Sequence, residues 1–246
     1  MRVALLADIH ANLEALRACL ADARAQGAER SVYLGDIVGY GADPAACVEI
    51  VREACGKGAI AIKGNHDEAV NGTRFRLNDA ALAAVEWTRA VLAPEDLAFL
   101  DRLPMSATQG SCLFVHASAK RPEAWPYILG LDEAIDSLNA SEAHLTVCGH
   151  IHTPALYNLA ATGKVMVHTP VAGTAVPLLS QRRWLAVMGA VGQPRDGNPA
   201  AAYGIWDTQA NTISYLRVPY DIETAAAKIR RAGLPDVLWR RLSAGR

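Results

Sequence analysis

The chain lacks any long hydrophobic run. Nowhere do apolar residues approach the ~20 in a row that a membrane-spanning helix needs. The opening MRVALLADIH turns polar too soon for the hydrophobic region of a secretory signal, so a soluble, cytoplasmic protein with no membrane partner is expected. Paired cysteine motifs are missing too. The five cysteines, Cys19, Cys47, Cys55, Cys112 and Cys148, form no C-x-x-C pair and are odd in number. That argues against a disulfide framework and for buried thiols in a reducing compartment. A surplus of one charge is also absent: 24 Lys and Arg face 25 Asp and Glu, for a net charge of −1. Nucleic acid is therefore not an expected partner. Repeats, low-complexity tracts and an obvious linker do not occur. What the 246 residues do have is a 51% apolar fraction against 20% charged, enough for a sizeable core and against global disorder.

Five apolar runs read as strands: RVALLADIH, SVYLGD, GAIAIKGNHD, SCLFVHA and HLTVCGHIH. Helical spacing separates them over residues 12–25, 44–55, 78–92, 94–100 and 131–139, with Asn78 and Asp132 as candidate caps and Pro44 as a starter. Alternation of this kind predicts βαβ units and a largely parallel sheet. After Pro154 the texture becomes β-rich and short, in ALYNLA, KVMVH, RRWLAVMG, AYGIWD and ISYLRV. This predicts a second, antiparallel sheet packed on the first. Residues 222–246 read as two helices split by Gly233 and Pro235. The expected organisation is one domain over 1–246, with a metal-binding half (1–154), a second-sheet half (155–220) and a helical tail (221–246).

The polar residues collect where the five early strands end: Asp8 and His10, Asp36, Asn65 with His66 and Asp67, His116, then His150 and His152. The carboxyl edge of an open α/β sheet is where ligands bind. Five of the seven histidines fall at these positions, and His144 and His168 are expected to be ordinary polar residues outside them. In Asp8-x-His10 and His150-x-His152, extended residues two apart would project to one side. Nitrogen and oxygen donors of this kind suit first-row divalent ions. Seven candidate ligands, Asp8, His10, Asp36, Asn65, His116, His150 and His152, are too many for one tetrahedral ion and fit two ions bridged by a carboxylate. Two ions about 3.5–4 Å apart let a shared water ionise near neutral pH and attack phosphorus in line. Plainer readings stand beside these. Asp8 can cap a helix, Asp36 can be a turn residue in GDIVGYG, Arg195 and Asp196 can be turn residues, and Trp125 and Tyr127 can shape a pocket, although core packing is the expectation for them.

The blocks ADIHAN, GDIVGYG, KGNHDEA, VHAS and GHIHTP resemble, in order, the five signatures of the calcineurin-like metallophosphoesterases. The later VGQPRDGNPAAAYGIWD resembles a motif of a compact bacterial and archaeal, phosphodiesterase-like branch. The resemblance implies a four-layer αββα sandwich, two mixed sheets flanked by helices. It implies that Asp8, His10 and His152 bind one ion, that Asn65, His116 and His150 bind the other, and that Asp36 bridges. It makes His66 a general acid rather than a ligand. The implied metals are manganese or iron (Fe2+ or Fe3+), with zinc, nickel or cobalt as alternatives. The implied activity is hydrolysis of phosphodiesters, nucleotides or dinucleoside polyphosphates, the substrate being small and nucleotide-like. A phosphomonoesterase or protein phosphatase is the alternative, and a non-catalytic scaffold a more distant one. Arg195, Arg74 and Arg76 are the candidate substrate-binding residues. Two stretches depart from the pattern: Val187-Met188-Gly189-Ala190 lacks the Asn and Ser of relatives, and His116-Ala117-Ser118 replaces H-G-S.

Overall fold

The computed structural model describes residues 1–72 and 77–246. Its strands in chain order are β1 (Arg2–Leu6), β2 (Arg30–Tyr33), β3 (Ile60–Ala61), β4 (Ser106–Gln109), β5 (Cys112–Val115), β6 (Leu145–Cys148), β7 (Ala155–Ala160), β8 (Val165–His168), β9 (Ala175–Pro177), β10 (Arg182–Val187), β11 (Ala201–Asp207) and β12 (Thr212–Val218). The helices are α1 (Leu13–Ala25), α2 (Pro44–Gly56), α3 (Asn65–Ala69), α4 (Asp79–Val91), α5 (Pro94–Asp101), α6 (Leu131–Asn139), α7 (Ile222–Arg231) and α8 (Asp236–Ala244).

Two six-stranded sheets form, in the orders β3-β2-β1-β11-β12-β9 and β4-β5-β6-β10-β7-β8. Each is mixed. β1, β2 and β3 run parallel while β11 pairs β1 antiparallel, and β5, β6 and β10 run parallel while β7 pairs β10 antiparallel. The strands after Pro154 therefore do not make a sheet of their own. β9, β11 and β12 complete the first sheet, and β7, β8 and β10 complete the second. The physical reason is edge pairing: with β2 on one side of β1, the other side offers unpaired backbone groups, and β11 takes it. Residues 155–220 thus supply both sheets rather than one half, a choice that strand texture does not encode.

The layers follow from the burial pattern. Leu5, Val32, Phe114, Val147, Trp184 and Trp206 fill the space between the sheets. Leu16, Cys19, Val48 and Val51 bring α1 and α2 onto the outer face of the first sheet. Ala134 and Leu138 bring α6 onto Leu185 and Val187 of the second. β1 is buried at every position after Arg2 because it is covered on both faces. Asn12 starts α1 by accepting from Ala15 N (3.2 Å), and Asn78 starts α4 by accepting from Ala81 N (3.0 Å). Asp132 is not a cap; Gly130 occupies that position and α6 has no side-chain cap. The cysteines are free thiols, four of them buried. No helix among the described residues is long and apolar enough to cross a membrane.

What the fold contributes to function is one shared edge. Ala7, just past β1, bridges in parallel to Ala190, just past β10. The carboxyl ends of both parallel strand sets therefore meet.

Candidate metal centre

All the strand-end residues singled out above come together at that edge. Asp8, His10, Asp36, Asn65, His66, His116, His150 and His152 are each at most 8% exposed. The backbone route differs from strand alternation. β1 stops at Leu6 and β6 at Cys148. Asp8, His10, Asp36, His150 and His152 then take left-handed φ values of 55°, 49°, 52°, 73° and 61°. The two x-spaced pairs converge through curled turns, not through extended backbone. Each such residue costs roughly 1–2 kcal/mol, so tertiary bonds must hold it. They do: Asp8 N donates to Gly35 O (3.2 Å) and His10 N to Asp36 O (2.9 Å), zipping the loop after β1 onto the loop after β2. His150 N donates to both Asp8 carboxylate oxygens (3.1 and 2.9 Å) and His66 N to Asp36 Oδ1 (2.8 Å).

Close approach explains two of the motif glycines. A Cβ on Gly149 would stand 2.6 Å from Asp8 Oδ2, and one on Gly64 would collide with the Asp36 main chain. Asp67 has a structural task. Its carboxylate accepts from Gly64 N, Ile37 N and Val38 N at 2.9, 2.9 and 3.1 Å, pinning the start of α3 to the loop after β2.

The imidazoles are orientated by main-chain carbonyls. His10 Nδ1 lies 3.2 Å from Val38 O, His116 Nδ1 2.7 Å from Leu34 O, and His152 Nδ1 2.7 Å from Gln193 O. A carbonyl only accepts, so Nδ1 carries the hydrogen and a neutral ring turns a bare Nε2 inward. His10 Nε2 and His152 Nε2 then face each other at 3.1 Å, and His150 Nδ1 faces His116 Nε2 at 3.2 Å. At the first contact two bare lone pairs repel unless a cation lies between or beside them; at the second, the extra proton on His116, pushed up to about 9, plays that part and is what a metal ion would displace. Two nitrogens each about 2.1 Å from one ion sit about 3.0 Å apart at a right angle and about 3.4 Å apart at the tetrahedral angle. The spacing and donor chemistry fit divalent ions.

Asp36 joins the two clusters. Its Oδ2 is 3.6 Å from His10 Nε2 and 3.4 Å from His116 Nε2. Asp8 Oδ1 is 3.6 Å from His152 Nε2, and Asn65 Oδ1 is 3.3 Å from His116 Nε2. Ligand atoms within 4.8 Å of one another define the groups Asp8-His10-His152, Asp36-His116-His150 and His10-Asp36-His66. His66 is thus also within reach of the first cluster. Its Nδ1 is buried and makes no hydrogen bond.

Burial of so many polar groups moves their protons. Desolvation pushes Asp8 up to about 7. It would push Asp36 up as well, but His116, His66 and His10 outweigh it and hold this carboxyl well below the usual range. Burial lowers His10 and His152 well below 6.5 and His150 to about 3. Burial opposes protonation of His116 too, yet Asp36 prevails and pushes it up to about 9. His66 is lowered by burial, with Asp36 pulling partly the other way.

Two residues beside the site, Tyr40 and Gln193, are not singled out by the sequence alone. The Tyr40 ring stands 4.5 Å from both His10 and His66. Arg195 lies over the same ring, 5.6 Å from its centre, and donates to Gln193 Oε1 at 3.1 Å. Its charge lowers the pKa of His10, His66 and His152, so the guanidinium lies within electrostatic reach of the centre. Trp125 does pack in the core, edge-on to His116, but Tyr127 is 51% exposed and stacks on His150. Arg74 and Arg76 lie outside the described residues. His144 and His168 bond elsewhere, to Asn211 and Asn158. At the stretches that depart from the resemblance, Met188, Ala190 and Ala117 are buried apolar residues.

A sandwich of two mixed sheets that gathers this many nitrogen and oxygen donors at one edge is the framework of a metal-dependent hydrolase. A family model, the calcineurin-like phosphoesterase superfamily domain, matches residues 1–211. The uncharacterized protein MJ0912 of Methanocaldococcus jannaschii is 37% identical over 250 residues, covering 99% of this chain and 98% of that one. The crystal structure of a metallophosphoesterase from Sphaerobacter thermophilus superposes with a TM-score of 0.88 at 38% identity, over 100% of this chain and 99% of that one. A hypothetical protein of Pyrococcus horikoshii, PH1004, shares the fold at a TM-score of 0.78 and 19% identity, over 100% and 98% of the two chains. The chain belongs to the calcineurin-like phosphoesterase superfamily. It is a phosphoric ester hydrolase of that divalent-metal-dependent family.

Proposed function

We propose that the protein is a dinuclear phosphodiesterase or nucleotide polyphosphate hydrolase acting on a small, nucleotide-like substrate. The observation that carries this reading is the facing pair of histidine nitrogens in each cluster, with Asp36 between the clusters. Under it, Asp8, His10 and His152 hold one ion, Asn65, His116 and His150 the other, and Asp36 both. Two ions, manganese or iron, would supply positive charge for the phosphoryl oxygens and an ionised water to attack phosphorus.

The protein's own groups complete the chemistry. Arg195, held by Gln193, receives a non-bridging phosphoryl oxygen. His66 passes a proton to the leaving oxygen. Its Nδ1 is turned toward Gly39, where a Cβ would stand only 2.5 Å away, which leaves Nε2 for the substrate. Burial keeps this ring neutral near pH 7, and the negative charge of a bound phosphate favours its protonation before transfer.

Rates with Mn2+ on bis-p-nitrophenyl phosphate, diadenosine tetraphosphate, p-nitrophenyl phosphate and a phosphopeptide test this. The first two are expected to be the better substrates. A preference for the last two would make the enzyme a phosphomonoesterase or protein phosphatase. Absence of both hydrolysis and bound metal would leave only a scaffold.

A further inference from the structure

Among the described residues three aromatic side chains touch the histidines of the centre, and one of these three is open to solvent. Tyr40 and Trp125 are each 7% exposed, while Tyr127 is 51% exposed. One face of the Tyr127 ring lies on His150, with centroids 4.2 Å apart and planes 21° from parallel. A stack of that kind uses one face and leaves the other free.

The ring is held there by its loop. Arg121 and Trp125 take left-handed φ values of 53° and 52°, conformations that cost energy for residues of their size. The next residue, Ile128, is 2% exposed and anchors the loop in the α6 core. Leu129 beyond it is 77% exposed. Burial raises the Tyr127 hydroxyl above its ordinary pKa, and Arg195, Asp36 and Asp8 also act on it. The hydroxyl end therefore lies within electrostatic reach of the centre.

We propose that the outer face of Tyr127 is the stacking wall for a planar aromatic group, a nucleobase, carried by the phosphate ester that binds at the His/Asp centre. The inference rests on the phosphohydrolase reading above and names the organic half of its substrate. The ring stacks directly on His150, itself a residue of the second cluster, so its outer face lies one side chain away from that cluster. A ring already ordered by His150 loses little freedom on binding. Stacking tolerates any base, so Tyr127 selects for an aromatic group without choosing among bases.

Calorimetry on the Mn2+-loaded protein with AMP and with ribose 5-phosphate isolates the base, since both ligands carry the same phosphate. AMP is expected to bind the wild type at least about tenfold more tightly than ribose 5-phosphate. Tyr127→Ala should bring the two dissociation constants together, and Tyr127→Phe should keep them apart. Equal affinities in the wild type would overturn the proposal. So would an equal loss for both ligands in Tyr127→Ala, because the ring would then merely position His150. Binding is read without turnover, so an inactive wild type would count against the hydrolase reading and leave this result to be judged separately.

Discussion

The two clusters of the centre use the same kinds of side chain and keep their protons in different places. In the first, burial leaves His10 and His152 neutral, and the proton nearest them belongs to Asp8, pushed up to about 7. In the second, His150 is driven down to about 3 while His116, beside Asp36, is pushed up to about 9 against its burial. The difference shows that ligand identity alone does not set how a site fills. A cation entering the first cluster displaces a proton from a carboxyl near neutrality. One entering the second displaces a proton from an imidazolium that holds it more tightly.

The most damaging way to break the comparison is to remove what joins its halves. Asp36→Asn should lower turnover about a thousandfold or more, because neither cluster keeps its shared carboxylate. Metal analysis of the same variant should fall from two ions per chain to one or fewer. His66→Ala leaves both clusters intact and should cost about 10²–10⁴-fold in kcat, with both ions retained. Loss of an ion from that variant would instead make His66 a ligand of the first cluster, a place its distance to His10 and Asp36 allows.

The proton difference itself is open to titration. Protons compete with metal, so affinity falls as pH falls. For the second cluster the decline should begin below about 9, and for the first only below about 7, by about tenfold per pH unit for each proton displaced. Metal titrations from pH 6 to 9 should therefore show two affinities, one still rising between about pH 7 and 9 and the other level there. Two affinities that move together would erase the distinction. The smallest expected effect lies at the rim. Arg195→Ala should raise KM about tenfold with a smaller change in kcat, and Gln193→Ala should follow it more weakly because it only holds the guanidinium.

Much of this centre is visible in the sequence, for a physical reason. Each candidate ligand sits at the end of an apolar strand, and strand ends carry strong local signals in Gly35-Asp36, Gly64-Asn65 and Gly149-His150. The backbone that aims them is not visible. The left-handed turns at Asp8 and His10 persist because of hydrogen bonds to Gly35 O and Asp36 O, and such partners are distant in sequence. The same holds for Tyr40, whose motif reads as a turn until Arg195 and His66 are seen to pack on it. The role of Asp67 is not readable from its neighbours in sequence, because its carboxylate pins the start of α3 to the loop after β2. Tyr127 shows the opposite error: an aromatic residue near a buried histidine is expected in the core, and this one stands half outside it. Sheet membership is the least legible feature, because β11 and β10 choose partners by which edges remain unpaired.

The central claim is that one edge holds two ions with Asp36 between them and His66 outside. Anomalous diffraction from crystals grown with Mn2+ tests it most directly. The account predicts two peaks per chain, one among Asp8, His10 and His152 and one among Asn65, His116 and His150, each within bonding distance of Asp36. A single peak, or a second peak coordinated by His66, would contradict it.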